Sequence, residues 1–334
     1  MRALVSGGNG FIGRYIVEQL LARGDEVRVV GRGDYPELRA MGVLCVRADL
    51  AAEQPVAAAL QGCDVVFHVA AKAGVWGEWA DYYRNNVSAT QFILRQAVRA
   101  NVPRFVFTSS PSVVFGEESV EGADESRPYP ARFLAPYPHT KALAEQWVLR
   151  QTDIMTTAIR PPLVWGPRDT NILPRIITRA KAGRLRQIGD GTNLVDVTYV
   201  ENAAEAHLAA ADRLSEDSPL RGRAYFIGQE QPVNLWQFIN TLLELVSVPP
   251  VPPRPVIPYA LARQVAAVIE DTYRLTRQQN EPPFTRLLVA QLANSRYFDL
   301  SAARRDLDYG PRIFTHEGLQ RTAAALLYSK EQRH

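Results

Sequence analysis

The feature of this sequence that most constrains its fold is a glycine-rich turn near its start. A short apolar run leads into Gly7, Gly10 and Gly13, and an amphipathic helix pattern begins directly at Phe11 and Ile12. A tight strand-to-helix turn needs backbone torsions that only glycine adopts cheaply. Without side chains, the turn also lets a pyrophosphate approach the backbone, where the N-terminus of the helix offers N–H donors and a positive dipole end. This context predicts a dinucleotide-binding turn rather than an ordinary glycine-rich loop.

The first half of the chain alternates strand and helix patterns. Apolar strand patterns occupy residues 3–6, 27–30, 43–46, 65–69, 105–107 and 155–159, and helix patterns occupy 11–23, 81–100 and 137–150. Near-continuous apolar strands are typical of a parallel sheet covered by helices on both faces. Right-handed crossovers then give an α/β fold with a doubly wound parallel sheet of the Rossmann type. We predict this dinucleotide-binding domain at residues 1–165 and a smaller, mixed C-terminal substrate-binding region at 166–330, some of whose strands and helices return to the Rossmann core.

The end of the second strand predicts which dinucleotide binds. NAD-binding proteins place an acidic residue there that hydrogen-bonds the adenosine ribose, whereas this chain has Gly31 and Arg32. Gly31 leaves room and a guanidinium pairs well with a 2′-phosphate, so we expect NADP(H) as the preferred cofactor, with NAD(H) possible. The alternative is that Asp34 reaches back to the ribose and Arg32 is a surface charge. The next two strand ends extend the predicted cofactor site to Asp49, Leu50, Ala70 and Ala71.

Two segments further along carry the groups of a redox reaction. Tyr137 and Lys141 are spaced i, i+4, which places both side chains on one face of a helix, and a nearby ammonium is expected to lower the pKa of the tyrosine. Upstream, a strand pattern ends in hydroxyl residues, of which Ser110 is the candidate to hold a substrate oxygen, with Ser109 and Ser112 as alternates. Their order along the chain, after a dinucleotide turn, predicts a hydride-transfer site.

With these motifs in place, the chain resembles the extended short-chain dehydrogenase/reductase superfamily. The resemblance runs through the glycine turn, Asn85-Asn86-Val87, Thr108-Ser109-Ser110, Tyr137-x-x-x-Lys141, and the runs 160–167 and 195–202. It implies that Tyr137 is the acid/base, that Lys141 orients the nicotinamide ribose and assists the tyrosine, and that Ser110 polarises the carbonyl. Three further residues are implied to support the site or contact the cofactor: Asn86, Pro161 and Val164.

Within that superfamily the chain resembles the 3β-hydroxysteroid dehydrogenase branch, through residues 67–77, 108–115 and 282–286. The likeness is greatest to bacterial 2-alkyl-3-oxoalkanoate reductases of olefin biosynthesis, a group that uses NADPH, and to sterol-4-carboxylate 3-dehydrogenases. It implies an enzyme that interconverts a ketone and a secondary alcohol on a bulky hydrophobic substrate, a 2-alkyl-3-oxoalkanoate (a β-keto acid) first and a 3β-hydroxysteroid or sterol carboxylate as the alternative. Candidate substrate residues are Lys72, Trp76, Ser112 and Trp165, with Arg127 as a second candidate for a carboxylate.

Two other function classes stay open. One is a nucleotide-sugar epimerase, which the Gly31-Arg32 pair disfavours, because those enzymes usually retain tightly bound NAD. The other is a non-catalytic module that senses a dinucleotide on the same fold. Such a module can dispense with Tyr137 and Lys141, whereas both are present here.

Composition excludes several partners. The chain has 334 residues, 46% of them hydrophobic and 22% charged, which is ordinary globular composition. A net charge of +3 without any long block of like charge gives no case for nucleic acid. The histidines and cysteines lack metal-ligand spacing, so we expect no metal, and Cys45 and Cys63 are expected to be free thiols rather than a disulfide.

The expected location and assembly follow from weaker signals. No signal peptide or membrane-spanning stretch is visible, so we expect a cytoplasmic protein. The helix pattern at 259–278 has an apolar face that would pack on its own domain, cover a substrate cleft, or touch a membrane surface or a partner enzyme. By resemblance, a homodimer is expected, with the helices at 81–100 and 137–150 paired across a twofold axis.

Overall fold

The computed structural model describes residues 1–278 and 280–331, which are organised around one large parallel sheet. The strands are β1 (Arg2–Ser6), β2 (Glu26–Gly31), β3 (Leu44–Arg47), β4 (Val65–His68), β5 (Arg104–Thr108), β6 (Val120–Ala123), β7 (Met155–Arg160), β8 (Val164–Trp165), β9 (Leu194–Val195), β10 (Thr198–Tyr199), β11 (Arg223–Phe226), β12 (Val233–Asn234) and β13 (Arg296–Phe298). Seven of them form the main sheet in the order β11-β7-β5-β4-β1-β2-β3, with every neighbouring pair parallel. The predicted doubly wound Rossmann sheet is confirmed.

Helices cover both faces of this sheet. The helices are α1 (Phe11–Ala22), α2 (Pro36–Ala40), α3 (Ala57–Leu60), α4 (Trp79–Tyr82), α5 (Ala89–Arg99), α6 (Pro136–Leu149), α7 (Ile172–Lys181), α8 (Val200–Arg213), α9 (Leu235–Leu245), α10 (Tyr259–Leu275), α11 (Arg286–Ala293), α12 (Ser301–Leu307) and α13 (Thr315–Glu331). Side chains of α1 and α8 pack into one apolar core against the sheet, and those of α5 and α6 pack into a second core on its other face. Burial of these two apolar layers is the main source of stability.

The strand order fixes where a ligand can bind. From β1 the sheet continues through β2 and β3 on one side and through β4, β5 and β7 on the other. At such a switch point the connections leave toward opposite faces, and a crevice opens at the carboxyl ends of the strands. The residues that directly follow β1, β2, β4 and β5 therefore meet at this edge.

The predicted helix at 81–100 is interrupted in its first half. α4 continues into a π-helical segment, Tyr83–Ser88, and then into α5, with helical backbone angles at both junctions. A π-helical turn widens the helix and shifts the direction of the side chains within it, and such segments are frequent at functional sites. Asn86 lies in this segment and is buried.

Five further strands, four of them from the second half of the chain, are not revealed by the sequence patterns. β11 lies at the edge of the main sheet beside β7, and a small sheet has the order β12-β9-β13-β6. These strands are two to four residues long, too short for alternation to be recognised. Phe298 joins the small sheet to the main one, since its ring stacks on that of Phe226 at 3.9 Å.

α10 is half-covered by the protein and half-exposed. Its inner face buries Ala262, Ala266 and Glu270, and its outer face exposes Val268 and Leu275. Among the residues that the structure describes, no helix combines the length and the apolar character that a bilayer crossing requires.

The two cysteines are not bonded to each other. Cys45 is partly exposed and Cys63 is buried, and both are free thiols, as expected.

Candidate active site

The turn after β1 is packed so closely that side chains are excluded. Gly7 has a φ of +71°, and a Cβ there would lie 2.9 Å from the backbone of Ala70. The N–H of Gly10 donates to the carbonyl of Gly7 at 2.8 Å, and a Cβ at Gly13 would overlap that same oxygen. Because Gly10 has no side chain to cap α1, the first turn from Phe11 presents its N–H groups at the carboxyl edge. This cradle fits a dinucleotide pyrophosphate.

Two arginines, Arg32 and Arg47, lie at the neighbouring ends of β2 and β3. Arg32 is exposed, and its carbonyl accepts a hydrogen bond from Nε of Arg47 at 3.1 Å. Asp34, the acidic alternative, forms an ion pair with Arg39, whose hydrogen bond lowers the pKa of this carboxyl. The end of β2 therefore carries arginine side chains, and the carboxylate of Asp34 is already paired.

The room expected at Gly31 is filled from within the protein. A Cβ at Gly31 would overlap the hydroxyl of Tyr35, which accepts a hydrogen bond from the N–H of Gly33 at 3.0 Å. The absent side chain thus seats the tyrosine ring, and the expectation that it leaves open space for a phosphate is corrected.

The other predicted cofactor residues lie at strand ends with different exposure. The carboxylate of Asp49 accepts a hydrogen bond from the N–H of Ala51 at 2.9 Å and so caps a short 3₁₀ turn that buries Leu50. The remaining positions are, in order of decreasing exposure, Ala71 (exposed), Ala70 and Val164 (half-buried) and Pro161 (buried).

Tyr137 and Ser110 meet where α6 begins beside the loop after β5. α6 starts at Pro136, where a missing N–H costs nothing, and Tyr137 follows in its first turn. The hydroxyl of Ser110 hydrogen-bonds Tyr137 and lies 2.8 Å from that of Ser112. Ser109 is only 4% exposed. Of the three candidate serines, Ser110 is the one in contact with the tyrosine.

Burial, and not the lysine, sets the pKa of Tyr137. Burial raises the pKa of this phenol, and the hydrogen bond with Ser110 offsets part of that rise. The ammonium of Lys141 is directed elsewhere, since it donates to the carbonyl of Thr108 at 2.5 Å and lies 4.0 Å from the ring centre of Phe107. The expected lowering of the tyrosine pKa by Lys141 is therefore wrong for this structure, and the phenol is a proton donor at neutral pH.

Lys141 is a buried amine whose pKa lies close to neutral pH. It is 2% exposed, and burial lowers its pKa to about 7, although Glu145 acts in the opposite direction. Two fully buried histidines, His68 and His207, have pKa values lowered by burial to about 3 and about 4. These histidines are neutral at pH 7, so Lys141 is the group of this cluster that titrates in the physiological range.

Asn86 links the glycine turn to the helix that carries the tyrosine. Its amide nitrogen donates to the hydroxyl of Thr140 at 3.0 Å, and its oxygen accepts the N–H of Lys72 at 2.7 Å. Lys72 lies two residues after Ala70, whose backbone contacts Gly7. The predicted residues from four separate segments are thus brought to one edge of the sheet. Thr140 was not predicted, although its spacing from Tyr137 places it on the adjoining side of α6.

The predicted substrate residues do not line one common cleft. Lys72 forms an ion pair with Asp81 at the surface, and half-buried Trp76 packs edge-on against Tyr273 of α10, with ring centres 6.2 Å apart. Trp165 has no exposed surface. Its strand β8 pairs with β10, so its ring turns into the core of the second half rather than toward a cleft. Trp165 is therefore corrected to a core residue.

Most of the chain matches one known family. Residues 4–251 match the model of the 3-beta hydroxysteroid dehydrogenase/isomerase family. The chain belongs to this family. It is accordingly an NAD(P)-dependent oxidoreductase of the short-chain dehydrogenase/reductase type, as the sequence motifs predict.

Relatives in this family are similar over almost the whole chain. The 2-alkyl-3-oxoalkanoate reductase of Shewanella oneidensis is 41% identical, over 97% of this chain and 86% of its own length. The human sterol-4-alpha-carboxylate 3-dehydrogenase, decarboxylating, is 35% identical over 96% of this chain and 87% of its own. Among solved structures, MoeE5 in complex with UDP-glucose and NAD has a TM-score of 0.76 and 26% identity, covering 99% of this chain and 100% of that one.

Proposed function

We propose that this family member is an NADPH-dependent ketoreductase of 2-alkyl-3-oxoalkanoates. The observation that carries the proposal is the contact between Ser110 and Tyr137 at the carboxyl edge of the sheet, with Lys141 one helical turn away. The identity of 41% to a reductase of that name supports the substrate class. A sterol-4-carboxylate dehydrogenase is the second candidate, favoured by the human relative at 35% identity.

In the proposed reaction, the protein positions the ketone and supplies one proton to its oxygen. A bound reduced nicotinamide dinucleotide would supply the hydride to the ketone carbon. Ser110 donates a hydrogen bond to the ketone oxygen and stabilises its developing charge. Tyr137 delivers its phenolic proton to the same oxygen, and Lys141, one helical turn further along α6, supplies positive charge or a transferable proton from its position on the carbonyl of Thr108. The reverse reaction uses the same groups, with the tyrosinate as base.

The substrate class is tested by a panel of ketones and alcohols. We expect oxidation of NADPH, followed at 340 nm, with long-chain 2-alkyl-3-oxoalkanoates, and little with 3-keto sterols or UDP-sugars. A reversed preference for sterol carboxylates would transfer the assignment to the second candidate. Tight cofactor binding without turnover of any ketone would favour the sensing module.

Cofactor preference has its own test at the end of β2. Replacing Arg32 with alanine removes the charge proposed to pair with the 2′-phosphate, so we expect the KM for NADPH to rise about 10- to 100-fold. The KM for NADH, which lacks that phosphate, is expected to change less than about 2-fold. The effect should grow when Arg47, whose Nε lies 3.1 Å from the carbonyl of Arg32, is replaced as well.

A matched control separates local from general charge effects. Arg99 is exposed at the C-terminal end of α5, and hence at the opposite edge of the sheet. Its replacement by alanine removes the same charge and should leave both KM values unchanged. An equal rise in the KM values for NADPH and NADH in the Arg32 variant would contradict the proposed pairing of Arg32 with the 2′-phosphate.

A further inference from the structure

Arg296 is a buried cation for which the protein supplies no hydrogen-bond acceptor. It lies in β13, is 4% exposed, and within residues 1–278 and 280–331 none of its three guanidinium nitrogens has a hydrogen-bond partner. Its guanidinium lies 4.1 Å from the ring centre of Phe115, a favourable contact that leaves the in-plane N–H donors unused. Burial lowers its pKa to about 10, so the group stays protonated at neutral pH.

A second unpartnered polar side chain lies on the same face of the small sheet. Asn193 is 3% exposed, and over the same described residues neither its amide oxygen nor its nitrogen has a partner. Residues 193–195 alternate buried, exposed, buried, so Asn193 and Val195 share one face. Val195 is the register partner of Arg296 in the neighbouring parallel strand, so the alternation places Asn193 and Arg296 on the same side of the two strands, two register positions apart.

An unpaired guanidinium and an unpaired amide on one face need an outside partner. Burying polar groups without hydrogen bonds opposes folding, most strongly for a charge, and an apolar side chain of similar volume would fit the interior better. The fork of arginine N–H groups matches a planar group with two oxygens, and the asparagine amide can donate one further bond to it. The chemistry of the pair therefore selects a carboxylate.

This face is turned toward the loop that carries the candidate catalytic serine. A 3₁₀ turn begins directly after Ser110 and ends at Phe115, the ring on which Arg296 stacks. The same loop continues to Glu117, which Arg263 of α10 contacts in an ion pair at 2.7 Å. The carbonyl of Glu117 also accepts hydrogen bonds from Tyr259 of α10 at 3.2 Å and from Asn294 at 2.6 Å. These contacts are exposed, and a ligand would reach Arg296 when they open.

We propose that Arg296 and Asn193 bind the carboxylate of the substrate. The inference rests on the proposed function, because a 2-alkyl-3-oxoalkanoate carries a carboxylate one carbon from its ketone. One loop then serves both ends of the reacting unit: Ser110 holds the ketone oxygen and Phe115 backs the guanidinium. The pair selects β-keto acids over neutral ketones of the same chain length.

The two cations expected from the sequence are less suited to this role. Lys72 is already paired with Asp81, and Arg127 with Glu118 at 3.2 Å. Both side chains are in contact with solvent, where a new ion pair gains little. Arg296 is desolvated before the substrate arrives, so a carboxylate gains the full charge-assisted contact.

The test compares a 2-alkyl-3-oxoalkanoate with its methyl ester, which keeps the ketone and both chains but has no charge. In Arg296→Met we expect the KM for the acid to rise about 10- to 100-fold and that for the ester to change less than about 2-fold. The melting temperature should stay level or rise, since an unpaired buried charge is removed. Arg296→Lys keeps the charge but loses the forked pair of N–H donors, so its KM for the acid should lie between those of the wild type and Arg296→Met. Arg304→Met, which removes an exposed charge from α12, should keep the wild-type ratio of acid to ester.

Two outcomes overturn the site. One is an unchanged acid-to-ester ratio in folded Arg296→Met; the other is an equal loss for acid and ester together with a lower melting temperature, which marks a structural arginine. If that variant does not fold, Asn193→Asp takes its place. A carboxylate near Arg296 neutralises the charge of the guanidinium, so binding of the acid should weaken while binding of the ester should not.

A direct binding measurement separates this site from the proposed function. Tetradecanoate and its methyl ester are titrated into the full-length enzyme in the presence of NADP⁺. If no ketone is reduced but the wild type prefers the acid and Arg296→Met does not, the proposed function fails and the carboxylate site stands. If both proteins bind acid and ester alike, the site fails whatever the enzyme reduces.

Discussion

Replacing Tyr137 with phenylalanine is expected to lower kcat for ketone reduction by about 10³- to 10⁴-fold, near the upper end of what a single acid/base group contributes. The change removes one oxygen and keeps the ring, so the first turn of α6 and the packing of Pro138 remain. Cofactor affinity should stay within about 2-fold, because the glycine turn that would hold the pyrophosphate is untouched. The measurement is single-turnover reduction together with fluorescence titration of NADPH.

The same residue predicts how the two directions depend on pH. Because burial raises the pKa of Tyr137, the neutral phenol dominates at pH 7 and is ready to donate a proton to the ketone. Oxidation of the alcohol needs the tyrosinate, so its rate should increase with pH throughout the range below that raised pKa, whereas reduction should not. Tyr83→Phe is the control, since that phenol is 38% exposed on the neighbouring helical segment and its loss should change neither rate. Full activity in Tyr137→Phe would remove the acid/base assignment.

The sequence contains most of what is needed to place this site, for a physical reason. In a parallel sheet the carboxyl ends of all strands lie at one edge, so motifs that follow β1, β2, β4 and β5 must meet there once the strands are recognised. The glycine turn needs no tertiary information, because only glycine tolerates both the φ at Gly7 and the close contact at Gly13. The spacing of Tyr137 and Lys141 likewise follows from helix geometry alone.

What the sequence does not reveal depends on contacts between distant segments. Arg296 and Asn193 are about a hundred residues apart, and only the pairing of two strands too short to be recognised brings their segments side by side. Trp165 looks like a cleft residue after a strand end, yet the pairing of β8 with β10 turns it into the core. The direction of the Lys141 side chain also depends on tertiary contacts, since its ammonium donates to the carbonyl of Thr108 in β5 at 2.5 Å.

Replacing Lys141 with methionine is expected to lower kcat by about 10²- to 10³-fold, because the variant loses the buried amine that supplies charge or a proton one helical turn from the tyrosine. The same substitution lowers activity but is not expected to lower the stability of the fold. The pKa of Lys141 is lowered from 10.5 to about 7 in the folded protein, so between those two values the unfolded chain binds one proton more. Stability then rises with pH across this window, and at pH 7 and below the buried charge opposes folding. The methionine variant should therefore be at least as stable as the wild type at pH 7.

Urea denaturation at pH 7 and pH 9 isolates this contribution. The difference in unfolding free energy, wild type minus variant, should increase from pH 7 to pH 9. Only the wild type becomes more stable in this range, because its buried lysine loses a proton. Taking the difference cancels the tyrosines and thiols that titrate in the same range, since both proteins share them. Lys181→Met, which removes an exposed lysine at the end of α7, should show no such trend. A wild type and variant whose stabilities change in parallel with pH would mean that Lys141 carries its ordinary pKa, and that its role is to position the ribose rather than to move a proton.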